Sequence, residues 1–154
     1  MRARRTRVIE GPPEAVWAVV SDPHHLPRWW PGVDRVEGVA EDRFTEVHTT
    51  KKGRAMRMDF RVLESEAGDG SANMVFEQEL PGSPWERFLT ESLTEIVLAP
   101  HARGTEVTIS QSQKLRGYSR AGGSVFFRRA MGRRLAEALE GLERVCGYTP
   151  LTGP

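Results

Sequence analysis

Glu46 and His48 stand two residues apart in Arg43–Lys51, a stretch whose apolar and polar residues alternate. In an extended strand that spacing puts both side chains on one face. A carboxylate beside an imidazole is a candidate general acid–base pair if the face turns inward, and a solvated polar edge if it turns outward. Gln111 is the third candidate for moving protons. It belongs with Gln78, Thr90, Ser92 and Gln113 to a set of polar residues that share strand faces with apolar ones. Buried polar groups need partners. Around a cavity the partner is a ligand or water; mutual pairing and exposure at strand ends are the alternatives.

Other chemistries lack their residues. His24 and His25 are adjacent, which suits neither a helix face nor a chelate, and no His-x-x-x-His or Cys-x-x-Cys spacing occurs. Gly122-Gly123 precedes no Lys-Ser/Thr pair of the kind a phosphate-cradling loop requires. No serine sits in a nucleophile-elbow context. Cys146, the single cysteine, has no histidine near it in sequence and reads as an inert buried thiol at a helix end. It also excludes an internal disulfide and suits a reducing compartment. We expect no metal and no cofactor.

The elements that must position these residues follow from periodicity. Arg4–Glu10 reads as a first strand, ended by Gly11-Pro12-Pro13. Two short helices follow, Pro13–Ser21 and Pro23–Trp29, each with proline at its start, where the missing N–H costs little. From Val33 the period becomes two. Strands are expected over Val33–Glu41, Arg43–Lys51 and Ala55–Leu63, then over Asn73–Leu80, Trp85–Leu98 and Val107–Leu115. In Ala55–Leu63, Met56, Met58 and Phe60 should be buried and Arg57, Asp59 and Arg61 exposed. Ser124–Cys146 repeats Phe127, Met131, Leu135, Ala138, Leu142 and Val145 at steps of three and four, the stripe of an amphipathic helix. The prediction is an α+β chain: a seven-stranded curved antiparallel sheet gripping a long C-terminal helix, with two short helices after the first strand.

The stretch GPPEAVWAVVSDPHHLPRWWPGVDRVEGV, residues 11–39, resembles the opening of the START-like (SRPBCC) superfamily, which includes polyketide cyclase/dehydrase-like proteins. The matching features are Pro-Glu-x-Val-Trp at the first helix, Asp-Pro at the second and Trp-x-Pro-Gly at its exit. The order strand, two helices, six strands, long helix matches that superfamily's helix-grip fold as a single domain over 1–148, with 149–154 as a frayed tail. The resemblance implies an apolar cavity between sheet and helix. The inward faces then supply its lining: Trp30, Met56, Met58, Phe60, Met74, Phe76, Gln78, Phe88, Thr90, Ile109, Gln111, Phe127 and Met131. It further implies that ligands enter at the sheet end where Lys51, Arg54, Arg116 and Arg120 would form a basic rim.

Composition agrees with a globular chain of 154 residues, 38% apolar and 28% charged, with net charge +1. No apolar run reaches the length of a membrane span, and no signal peptide is apparent, so a cytoplasmic location is expected. No acidic residue occurs between Glu106 and Glu137, while Lys114, Arg116, Arg120, Arg128, Arg129, Arg133 and Arg134 do. Such a basic face suits an anionic ligand or an acidic protein partner. No nucleic-acid motif accompanies it. The reading is a small hydrophobic ligand held between sheet and helix. The alternatives are a cyclase/dehydrase-type enzyme using the same cavity and an interaction module using the Arg-rich face. Oligomeric state is not legible.

Overall fold

The computed structural model describes residues 1–117 and 122–147, with residues 122–124 described by backbone alone. Seven strands form one antiparallel sheet: β1 (Arg2–Ile9), β2 (Arg35–Glu37), β3 (Arg43–Thr49), β4 (Ala55–Gly68), β5 (Ser71–Gln78), β6 (Leu89–His101) and β7 (Gly104–Leu115). The order is β1-β7-β6-β5-β4-β3-β2. Strands β2 to β7 are a meander, and β1 pairs with β7 at the far edge. Helix α1 (Pro13–Val20), a 3₁₀ turn (Pro23–His25) and α2 (Leu26–Trp29) carry the chain from one edge to the other. Helix α3 (Gly122–Cys146) closes the structure. This is the helix-grip fold.

Local chemistry explains these boundaries. Asp22 caps the 3₁₀ turn by accepting from the His24 amide at 3.0 Å and meeting His24 Nδ1 at 2.8 Å. The β4–β5 hairpin turns on Asp69-Gly70, both with positive φ, as the tight turn that matches strand twist demands. Strand β2 is much shorter than Val33–Glu41: Val33 is buried against the core, and Gly38 at φ 57° turns the chain away. Strand β6 starts at Leu89 and not at Trp85, because Ser83–Phe88 forms successive turns in which the Glu86 and Phe88 amides donate to the Ser83 and Trp85 carbonyls.

The inward face is built in rows across the strands. Leu98 and Val107 pair in one row; Met74, Ile96 and Ile109 form the next. With Ile9, Val16, Val20, Leu139 and Leu142 they make a filled core at the α1 end of the sheet. Met58 and Phe60 are buried on β4 while Arg57, Asp59 and Arg61 are exposed, the register expected from alternation. Phe44, Phe60 and Phe76 pack as an aromatic trio with centroids 5.2–5.6 Å apart.

Helix α3 buries Met131, Leu135, Ala138, Leu139 and Leu142 along its stripe. It packs on β1, β7 and α2. Gly141 permits the α2 contact, since a Cβ there would strike the Trp29 carbonyl. Arg7 forks onto Glu143, with Nε to Oε2 at 2.7 Å, and ties the last turns of the helix to the edge strand. Over the middle strands the helix stands clear of the sheet. That separation is the cavity. Among the described residues no helix is long and apolar enough to cross a membrane.

Candidate functional site

A cavity of about 550 Å³ lies between the sheet and the N-terminal half of α3. Its floor is the continuation of the core rows. Where the filled core has Ile96 and Ile109, the next two rows have Thr94 with Gln111 and Ser92 with Gln113. Gln111 Nε2 donates to Thr94 Oγ1 at 3.2 Å, and Gln113 Nε2 donates to Ser92 Oγ at 3.3 Å. Each hydroxyl that accepts in this way retains its own proton to donate, and each amide retains its carbonyl oxygen to accept. Phe76 and Gln78 on β5 and Met56, Met58 and Phe60 on β4 continue the floor. Phe127, Ala130, Met131 and Arg134 of α3 form the roof, and Trp30, Trp85 and Phe88 wall the ends.

Glu46 and His48 both face inward. They are 3% and 7% exposed, line the cavity, and place His48 Nε2 3.5 Å from Glu46 Oε2. That contact lacks hydrogen-bond geometry, so Nε2 has no partner among the described residues. Gly32 explains how the ring fits: it takes φ +84°, and a Cβ there would sit 3.1 Å from His48 Nδ1. The Trp-x-Pro-Gly exit of α2 therefore shapes the His48 site. Arg134 reaches the same corner, with Nη2 3.4 Å from the Pro31 carbonyl. Two further buried atoms in residues lining the cavity are without partners among the described residues, Gln78 Nε2 and Trp85 Nε1. Both carry N–H groups.

Of the residues expected to line a cavity, Trp30, Met56, Met58, Phe60, Phe76, Gln78, Phe88, Gln111, Phe127 and Met131 do so. Three do not. Met74 and Ile109 are 3% and 0% exposed but lie one row deeper, in the filled core. Thr90 points outward, because an irregularity between Leu89 and Glu91 shifts the register and puts Leu89 inward instead. The basic rim is also revised. Lys51 and Arg54 lie on an exposed turn and do not line the cavity. Arg116 is exposed and donates from Nε to the Glu86 carbonyl at 3.0 Å, which places it beside the Trp85–Phe88 connection. Arg120 and the tail 149–154 lie outside the described residues. Arg134, on the polar side of the helix stripe, is a cavity residue that periodicity gave no reason to select.

Cys146 is half-buried at the end of α3. Burial pushes its thiol up, with Arg28 opposing weakly, so it is a poor nucleophile. Among the described residues no cluster of His, Cys, Asp and Glu could hold a metal.

A family model described as polyketide cyclase / dehydrase and lipid transport matches residues 1–147. The chain belongs to that family. Solved structures share its fold. A START superfamily protein from Mycobacterium smegmatis superposes with a TM-score of 0.72 at 13% identity, covering 94% of this chain and 96% of that one. A protein from Thermus thermophilus gives 0.70 at 22% identity, covering 94% and 95%. The di-domain ARO/CYC StfQ from the steffimycin biosynthetic pathway gives 0.70 at 15% identity, covering 94% of this chain and 50% of that one. At these identities the likeness is one of fold. No curated protein matches the chain in sequence.

Proposed function

We propose that this family member binds a small hydrophobic ligand in the cavity between sheet and α3, with the ligand's oxygen atoms turned toward the polar rows. The observation that carries this is the combination of Met and Phe walls with three buried polar atoms that lack partners among the described residues, His48 Nε2, Gln78 Nε2 and Trp85 Nε1. A buried polar atom left unpaired costs roughly 1–3 kcal/mol. A ligand with carbonyl, hydroxyl or carboxylate oxygens among an apolar skeleton removes that cost while burying its own apolar surface. The Thr94–Gln111 and Ser92–Gln113 pairs add hydroxyl donors and carbonyl acceptors. We place the protein in the cytoplasm, on its one inert cysteine.

A second reading is favoured by one observation: the inward, mutually facing Glu46 and His48. In a cyclase/dehydrase-type reaction the Glu46 carboxylate would take a proton from a carbon next to a carbonyl, and N–H and O–H donors around the cavity would hold the oxygen that gains charge. The cavity itself would fold the chain so that its reacting carbons meet. The two readings differ at Glu46, which turnover needs and binding does not, whereas His48 serves both.

Native mass spectrometry of the purified chain tests the shared claim. A co-purified apolar adduct released on denaturation supports it. An empty protein that also fails to take up fatty acids and polycyclic phenols contradicts it. If a ligand is converted during incubation, His48→Ala and Glu46→Gln should each slow conversion by at least about a hundredfold, as for lost general acid–base groups.

A further inference from the structure

Large apolar side chains remain exposed on the first turns of α3, with Val125 at 50%, Phe126 at 65% and Phe127 at 53%, and on the connection before β6, with Phe88 at 55%. Phe127 and Phe88 also line the cavity, and Phe126 stands edge-on to Phe127 with centroids 6.0 Å apart. The patch is therefore continuous with the cavity interior. Single exposed apolar residues need no explanation, but contiguous aromatic groups at a helix end do. The charges around it are mainly positive, with the exposed Glu86 beside Arg87 as the exception. Arg128, Arg129 and Arg133 follow on α3, and Arg87 and Arg116 flank Phe88, with the Arg87 guanidinium 5.9 Å from its ring. All five are exposed, and none is ion-paired with a described residue. No acidic residue occurs in the sequence from 107 to 136.

We propose that this mouth docks on an anionic lipid bilayer, with Val125, Phe126, Phe127 and Phe88 entering the headgroup–acyl boundary and the arginines lying among lipid phosphates. Aromatic and aliphatic groups bordered by cations are the composition of an interfacial helix. Charge decides the lipid class: each arginine near the surface gains from anionic headgroups, and the gain falls with salt. Geometry gives the contact a use. A ligand held by the Met and Phe walls would pass between cavity and bilayer without crossing water. Docking goes beyond ligand binding and rests on the surface alone, so each can fail without the other.

The test is co-sedimentation of the full chain with phosphatidylcholine vesicles, with and without about one-third phosphatidylglycerol. The expected result is binding to the anionic vesicles that weakens as salt is added, and much weaker binding to the neutral ones. Val125→Asp with Phe126→Asp, and separately Arg128→Glu with Arg129→Glu, should each lower the partition at least about tenfold. None of these four residues lines the cavity, so uptake of an apolar fluorescent probe should be unchanged in both variants; that readout also confirms that they fold. The proposal is overturned if the wild-type chain ignores anionic vesicles, or if probe-competent variants bind them as well as wild type. It is equally overturned if ultracentrifugation shows a dimer dissolved by Phe126→Asp, or if an acidic protein engages the arginines while vesicles do not.

Discussion

Glu46 and His48 are buried, close and imperfectly bonded, which is an arrangement that folding alone does not favour. Removing His48 leaves the buried Glu46 carboxyl facing an apolar side chain, so His48→Leu should destabilise the chain by roughly 1–3 kcal/mol. Removing both, as Glu46→Leu with His48→Leu, should leave the unfolding free energy no lower than wild type, because well-packed apolar residues often replace buried polar pairs without loss. Chemical denaturation of the single and double variants decides this. A double variant weaker than wild type by more than about 3 kcal/mol would make the pair structural, and the acid–base reading would go. The spacing of the two residues was legible in the sequence, because a period of two forces residues 46 and 48 onto one face. The inward direction of that face was not, since nothing in Arg43–Lys51 says which side of the strand meets the helix. Arg134 was illegible for a different reason. Helical periodicity sorts residues into core and solvent, and a long side chain reaching into a cavity from the stripe's flank is neither.

At the scale of elements, α3 is held in two ways that differ in strength. Leu135 is fully buried on the stripe, so Leu135→Ala should cost about 2–5 kcal/mol, whereas Arg133→Ala on the exposed face should stay within about 0.5 kcal/mol. Thermal melts of the two variants check the packing of the helix. The Arg7–Glu143 fork is partly exposed and should contribute no more than about 1 kcal/mol. Its sign with pH is fixed. The hydrogen bond from Arg7 holds the Glu143 carboxyl below the usual carboxylate range, against a smaller opposing effect of burial. The contribution is therefore complete above the ordinary carboxylate value and is lost as pH falls through the lowered one. A double-mutant cycle of Arg7→Ala and Glu143→Ala should show coupling near neutrality and none at about pH 2. Coupling that persists in acid would contradict the ion pair. Strand existence and the β4 register followed from alternation. What alternation could not locate was the point along each strand where core gives way to cavity. The switch from Ile96 to Thr94 and from Ile109 to Gln111 marks it, and it becomes visible only once the rows are aligned across strands. Thr90 failed for the same kind of reason, because a register shift between Leu89 and Glu91 reverses facing without leaving a signal in composition.

The whole molecule reads as a sheet filled at one end and hollow at the other, with the helix spanning both. The filled end, where α1 packs on β6 and β7, supplies stability; the hollow end gives some of it up for a cavity lined by polar rows. Such a division predicts that filling the cavity should harm binding and spare the fold. Ala130 lies on the roof and is partly buried. Ala130→Trp therefore projects an indole into the space, whereas a tryptophan at Ile109 would only overpack the core. The most direct test is titration of the wild-type chain and of Ala130→Trp with one apolar fluorescent probe, each first checked for a cooperative melt. Saturable binding by wild type, weakened at least about tenfold (roughly 1.4 kcal/mol) in a folded Ala130→Trp, is the predicted result. Equal binding by the two folded proteins, or none by wild type, would contradict a ligand held between the sheet and α3.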